Sequence, residues 1–384
     1  MKTNELGVSI GIYRITFGLL MCFSLIRFVC KGWVEACYLE PEFHFTYQYF
    51  HWVKPFESPS MMYVVVCIAM IAALGIALGV AYRYCTILFF LSFTYLELLE
   101  KSWYLNHYYF VAIIAFLLCC MPAKQYFSWS YFFNRSIPNP IPKIYTTVLK
   151  IQISIVYFLA GLAKINKDWL LDAMPLNIWL KAKVDIPLIG HFFAYDEVAY
   201  LFSYTGMLYD LSIPFLLWNK RTRPLALVLV VGFHVMTALL FNIGMFPWIM
   251  IVGSLIFVTD KEWLSVFRFL KIQLPKLQNS SLQQRMPKWL MLLFSLHLII
   301  QITLPNRHLF YNENRLWTER NYRFAWNVML VEKAGYAIFK IKEHQSGKIW
   351  TAYPGSDLTA IQEKQMSFQA DMIWQYAQFL NLKY

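Results

Sequence analysis

The sequence predicts an all-α polytopic membrane protein of about nine transmembrane helices, with a small α+β cap at its C-terminal end. Three observations carry this. Of 384 residues, 59% are hydrophobic and only 15% charged, with a mean hydropathy of +0.45, far too apolar for a soluble globule. Apolar runs on the scale of a bilayer crossing recur from residue 7 to residue 304. Beyond residue 304 hydropathy falls and short alternating stretches take over. The expected division is a membrane domain over 1–304 and an extracytoplasmic cap over 305–384.

The first run, 7–30, is too long for the apolar part of a cleaved signal and lacks a small-residue cleavage site. It reads as a retained span. Arg14 inside it and Arg27 near its end place this helix against protein rather than lipid, with Arg14 expected in a structural ion pair. Residues 31–59 are aromatic (Phe43, Phe45, Tyr47, Tyr49, Phe50, Trp52) but too polar to span, and read as an interfacial loop on the outer surface. Further runs follow at about 60–82, 85–103, 107–121, 144–164, 196–218, 224–242, 244–258 and 288–304. Pro214 and Pro247 interrupt their helices, and 242–244 is either a tight turn or a break within one tilted helix. An odd number of spans puts the two termini on opposite sides.

Basic residues set the orientation. One side holds Lys2, Arg83, Lys124, Arg135, Lys143, Lys220, Arg221, Arg223 and the cluster Lys261, Arg268, Lys271, Lys276, Arg285, Lys288; the other holds only Lys31, Lys54, Lys101, Lys167, Lys181 and Lys183. The richer side is expected to be cytoplasmic, with the N-terminus inside and the C-terminal tail outside. In that tail, 336–342 and 348–353 alternate like strands about a Ser346-Gly347 turn, and 359–380 has the pattern of an amphipathic helix.

Composition also excludes function classes. The net charge of +12 is met by basic cytoplasmic loops, and no nucleic-acid-binding signature accompanies it. The seven cysteines (Cys22, Cys30, Cys37, Cys67, Cys85, Cys119, Cys120) lie in the first third without CxxC spacing, as structural thiols rather than a disulfide framework. No HExxH, His/Cys cluster, phosphate loop or GxSxG elbow appears, so no metal is expected. There is no internal repeat of the kind common in transporters.

The chemistry-bearing candidates are therefore polar groups inside apolar runs. Lys164 ends the run Ile155-Val156-Tyr157-Phe158-Leu159-Ala160-Gly161-Leu162-Ala163. An ammonium in hydrocarbon costs at least about 2.5 kcal/mol, which makes such a lysine functional by default; the alternative is a lysine snorkelling to the headgroups. Tyr157, Gly161 and Lys164 share one helix face, where glycine leaves room for a neighbour or a flat ligand. Glu97 and Lys101 stand four apart and pair structurally. Asp210 is a counter-ion for Arg14 or Lys164. His234 reads as a core histidine or a proton carrier, His107 as an interfacial ring or a site residue, and His297 as the weakest of the three. A lysine, two histidines and Asn106 among aromatics suit proton transfer on a lipophilic substrate.

These residues stand in longer blocks. Residues 151–164 with Asp168-Trp169, Lys101-Ser102-Trp103 to Asn106-His107, Asp210-Leu211-Ser212, His234 followed by Ile243-Gly244-Met245-Phe246, Leu316-Trp317-Thr318 to Tyr322-Arg323-Phe324-Ala325-Trp326, Tyr353-Pro354-Gly355 and Ala370-Asp371-Met372 occur in one order. In that order they resemble the vitamin K-dependent γ-glutamyl carboxylases and their bacterial HTTM relatives over nearly the whole chain. The resemblance implies an enzyme in which reduced vitamin K (phylloquinol or menaquinol), O2 and CO2 convert a peptide glutamate to γ-carboxyglutamate, with the quinone leaving as its epoxide. By the same resemblance Lys164 is the base that takes a quinol proton, and His107 and His234 are catalytic. Asn106, Trp317, Tyr322 and Trp326 match positions that hold quinone and glutamate; from the residues themselves, Tyr157 is expected to join them from the face it shares with Lys164, and Asp210 and Arg14 to pair structurally. The base must enter uncharged, and burial favours this because taking an ammonium out of water disfavours its charged form.

The chain departs from vertebrate members in three ways. Ala163 stands where they carry a second lysine, no cysteine follows Cys120 to clamp the tail, and the large region that concentrates propeptide recognition is lacking. The expectation is a short bacterial-type form in the cytoplasmic membrane, drawing on its quinone pool, with a peptide or protein glutamate as partner and no nucleic acid. The alternatives from other classes are a quinone- or lipid-binding protein or transporter with the same fold, and a quinol epoxidase that does not carboxylate protein.

Overall fold

The computed structural model describes residues 4–133, 139–272 and 285–384; Lys2, Arg135 and Lys276, counted above among the basic residues, lie outside them. Each apolar run carries a helix: α1 (Val8–Cys30), α2 (Pro59–Leu78), α3 (Tyr82–Leu98), α4 (Asn106–Cys119), α5 (Ile144–Ala163), α6 (Asp196–Trp218), α7 (Arg223–Leu240) and α8 (Phe246–Ser254). After them come the amphipathic α9 (Asp260–Phe269) and the apolar α10 (Lys288–Asn306). Five helices are long and apolar enough to cross a membrane: α1, α2, α5, α7 and the stretch Lys288–Phe310. The others fall short in length or, like α6, carry acidic residues in their sequence.

Small residues decide how closely these helices pack. A Cβ on Gly18 would lie 2.6 Å from backbone atoms of Ala73 and Ala77, so α1 and α2 touch backbone to backbone along a seam of glycine and alanine, as membrane helices do where lipid gives no hydrophobic drive. Asp260, at the start of α9, accepts from the backbone N–H groups of Gly7 (2.9 Å) and Ser9 (2.8 Å). It thereby satisfies orphan donors at the start of α1. Nη1 of Arg223, at the start of α7, donates to both oxygens of Glu262 at 2.8 Å, and Glu262 also closes a capping box with Thr259.

Four expectations need correction here. Arg14 is fully buried, as a helix packed on protein requires, but among the described residues it forms no ion pair. Its five donors meet backbone carbonyls of Ile76, Ala77 (2.7 Å), Ala123 (3.0 Å), Tyr126 (3.2 Å) and Phe127 (3.0 Å), two of them at the end of α2, where carbonyls lack intrahelical partners. Helix α6 runs through Pro214 without a break; packed neighbours hold such helices together despite the lost hydrogen bond. Pro247 sits in the first turn of α8, where its missing N–H costs nothing, so 241–245 is a turn between two helices. Lys101 does not pair with Glu97: its Nζ donates to Asp371 at 2.8 Å.

The C-terminal region holds an antiparallel hairpin and two helices. The two-residue strands β1 (Asn4–Glu5) and β2 (Ile141–Pro142) pair near the start of α1, and β3 (Phe339–Lys342) pairs with β4 (Ile349–Ala352), Phe339 opposite Ala352. The single helix expected over 359–380 is two, α11 (Ala360–Met366) and α12 (Ala370–Lys383). Thr359 and Gln362 box the first, and Gln369 is extended at the start of the second. Phe45 is buried with Met366, Met372 and Tyr376 in this region's own core. The 31–59 segment is thus no simple surface loop: Phe45 and Tyr47 are buried, and only rings such as Tyr49 and Trp52 face outward.

Candidate active site

Lys164 caps the C-terminal end of α5, and only 6% of it is exposed. The glycine one turn before it faces a helix rather than a ligand. A Cβ on Gly161 would lie 2.8 Å from the Leu211 side chain and 2.9 Å from its backbone nitrogen, so the absence of a side chain lets α6 approach. That approach brings Asp210, the neighbour of Leu211, to the lysine, whose Nζ donates to Asp210 Oδ2 at 2.7 Å. Of the two counter-ions the sequence left open for Asp210, the fold selects Lys164. The Trp169 ring stands 5.3 Å from the same nitrogen, close enough for a cation–π attraction. Trp169 is fixed in turn by the Asn166 side chain on its backbone N–H and by its indole N–H on Ser203 O at 2.9 Å.

Lys164 and Asp210 form one wall of a cavity between α5, α6, α7 and α8, with about 760 Å³ of free space, mouth included. Its walls are mostly apolar and aromatic, among them Phe202, Phe233, Phe241, Phe246, Met250 and the segment Val328-Met329. A second polar pair lies deeper, with the Tyr157 hydroxyl and His234 Nε2 at 2.8 Å. His234 Nδ1 is buried with no hydrogen-bond partner among the described residues. Tyr157 lies two turns before Lys164 on α5, so the helix spacing read from sequence puts both groups in one space.

The other candidates fall elsewhere. His107 is buried against Tyr108 (ring centroids 4.7 Å apart) and Phe246 (6.1 Å), behind the cavity wall rather than in it. Asn106 accepts from the Tyr104 hydroxyl at 2.9 Å and donates to Asn327 O at 2.9 Å, which pins the backbone beside Val328. Trp326 is buried and stacks on Tyr109 at 5.1 Å. Tyr322 lines a separate, polar pocket with Lys101, Arg323 and Lys333, and burial pushes its phenol up. Trp317 is 81% exposed. The aromatic block therefore does not line the cavity: a chain of left-handed residues, including Asn321, Phe324 and Trp326, turns its rings different ways. His297 is satisfied in a polar chain, with its Nε2 at 2.8 Å from Gln152, which reaches Gln301 and then Tyr109.

Several cavity residues carried no sequence signal. Phe202, Phe233 and Thr237 are ordinary in apolar helices and gain meaning only from the crossing of α6 and α7. The seven cysteines are free thiols, and among the described residues no three His, Cys, Asp or Glu side chains gather as for a metal ion.

Comparison with known families gives two matches. The family model described as HTTM domain matches residues 5–263, which include α1–α8 and every polar group of the cavity. The model described as vitamin K-dependent gamma-carboxylase, lumenal domain, matches residues 286–384. No solved structure matches the chain.

Proposed function

We propose, from the premise that this chain belongs to the HTTM-domain family of vitamin K-dependent gamma-carboxylases, that it is an integral-membrane enzyme coupling oxidation of a reduced vitamin K-type quinol by O2 to addition of CO2 at a peptide glutamate. The observation that carries this reading is the buried Lys164–Asp210 pair at one end of an aromatic-walled cavity. Oxidation of the bound quinol supplies a base strong enough to take a proton from carbon, which no side chain provides.

The cavity suits such a group in shape and chemistry: flat rings meet aromatic walls, and His234 Nδ1 lacks a partner. Lys164 Nζ takes a quinol O–H proton. For that it must present a lone pair, and Asp210 is placed to provide one. Moving the shared proton from Nζ to Oδ2 turns an ion pair into a neutral amine beside a neutral acid. The net charge of the pair is unchanged, so the dry surroundings do not oppose the exchange as they would the loss of a lone charge. Tyr157 and His234 then hold the far side of the ring by hydrogen bonds, and the apolar walls exclude water that would quench a strong base. His107 and Asn106 act from behind, by holding Phe246 and the 327–328 backbone. The nine helices in the apolar runs are nine crossings, with the N-terminus cytoplasmic and the 305–384 cap extracytoplasmic.

The test uses the full-length protein in detergent with reduced vitamin K, bicarbonate and a short Glu-containing peptide, read by mass spectrometry. Carboxylated peptide and quinone epoxide are expected together. Epoxide alone would reduce the reading to a quinol oxygenase, and neither product would end it.

A further inference from the structure

A second cavity lies at the end of the bundle that carries the C-terminal region, between the last turns of α1 and α3, the first turn of α4 and the Cys37-Tyr38 segment. Its free space, counted with the open mouth, is about 530 Å³, and its inner part is narrow. Four rings wall it in two pairs, Phe28 with Tyr38 at 6.0 Å and Phe93 with Tyr108 at 5.8 Å, and Trp103 adds a fifth.

Two polar atoms in these walls have nothing to bond. Glu97 Oε1 and the Trp103 indole nitrogen are buried without hydrogen-bond partners among the described residues. Glu97 is in this position because Lys101, four residues on, is drawn to Asp371 instead. Its neighbour Glu100 differs: it accepts from the backbone N–H of Phe45 and Ser102 and from Gln362 Nε2 at 2.9 Å, with His44 Nδ1 at 3.1 Å. Glu97 is half-buried, and a carboxylate oxygen buried without a cation or donor is unfavourable; aromatic cages are how proteins hold organic ammonium ions.

We propose that this cavity binds a primary ammonium group, its N–H donors on Glu97 and its charge against the aromatic cage. The ammonium belongs either to an ethanolamine phospholipid headgroup or to a free small amine. The cavity reaches Ser24 of α1, flanked by the outward-facing Phe23 and Ile26, which brings one wall to the lipid-facing side of that helix. A phospholipid would also bring phosphate and ester oxygens to the idle Trp103 N–H; free ethanolamine brings only a hydroxyl. The site shares no lining residue with the Lys164 cavity and stands or falls independently of the carboxylase reading.

Native mass spectrometry of the full-length protein tests it. The probes are free ethanolamine, and vesicles of phosphatidylglycerol mixed with either phosphatidylethanolamine or phosphatidylcholine. Retention of the ethanolamine lipid over the choline lipid is expected, because a quaternary ammonium has no N–H for Glu97. Glu97→Gln should weaken binding about tenfold or more, the usual cost of losing a charged hydrogen-bond partner. Binding of the lipid but not of free ethanolamine, with further loss in Trp103→Phe, identifies the headgroup as the source; tight binding of free ethanolamine, unaffected by Trp103→Phe, identifies the small amine. Equal retention of ethanolamine and choline lipids by the unaltered protein together with no ethanolamine binding, or equal binding by wild type and a folded Glu97→Gln variant, overturns the proposal.

Discussion

A single amine and its carboxylate partner carry the functional reading, and substitutions at the two residues separate chemistry from stability. Lys164→Met should lower epoxide and carboxylated-peptide formation together by about 10²–10⁴-fold, the range for removing a general base. It also leaves Asp210 buried and unpaired, a loss of about 3–5 kcal/mol. Adding Asp210→Asn should recover much of that stability, read from thermal unfolding in detergent, without restoring activity. If the double variant turned over quinol normally, Lys164 would be a structural lysine. The lysine and its helix face were legible in the sequence from one ionisable group at the end of an apolar run. Its partner was not, because Asp210 could have met either Lys164 or Arg14 in the packings that composition allows.

At the scale of elements, two contacts decide the arrangement. Gly161 sets the distance between α5 and α6: Gly161→Leu would drive its side chain into the Leu211 backbone, an overpacking of about 1–3 kcal/mol. Because the helices must part, the Lys164–Asp210 contact lengthens, and the variant should lose more activity than stability. The second contact joins the C-terminal region to the bundle through Asp371, which pairs with Lys101 at 2.8 Å and Arg323 at 3.0 Å. Burial alone would raise the Asp371 pKa, but the two cations outweigh it and hold the carboxyl below its ordinary value. Its contribution is therefore present above an unfolded-state value of about 3.9 and is lost as pH falls through the lower folded value. Protection from hydrogen exchange across 370–383, taken relative to the intrinsic rate at each pH, should hold from neutral pH down to about pH 4 and fall below it; a fall already near pH 6 would contradict this assignment. Asp371→Asn should quicken the same amides at neutral pH. The amphipathic tail pattern was visible in sequence, but its split into α11 and α12 depends on docking against Phe45, more than three hundred residues away.

The whole molecule raises the question of sidedness. The proposed nine crossings would put the two ends in opposite compartments, so protease added to right-side-out vesicles should cut within 305–384 and spare the N-terminus. Cleavage of both ends from one side would mean that one of the shorter helices, α4 or α8, does not cross. Basic-residue asymmetry predicts the orientation because loops rich in Lys and Arg resist translocation. It says nothing about which helices touch.

The sequence by itself determined the class of this protein, the place of each apolar helix and the suspicion that falls on Lys164. Those depend on local quantities, since hydrophobic run length, helix spacing and the cost of an isolated charge are read along the chain. Only the tertiary structure decided that Asp210 meets Lys164 while Arg14 is taken up by carbonyls, that Tyr157 and His234 close the same cavity, and that Trp317 and Trp326 stand apart from it. Contacts of that kind arise where helices distant in sequence cross, and the closeness of a crossing turns on small residues such as Gly161 and Gly18 whose neighbours no linear pattern names.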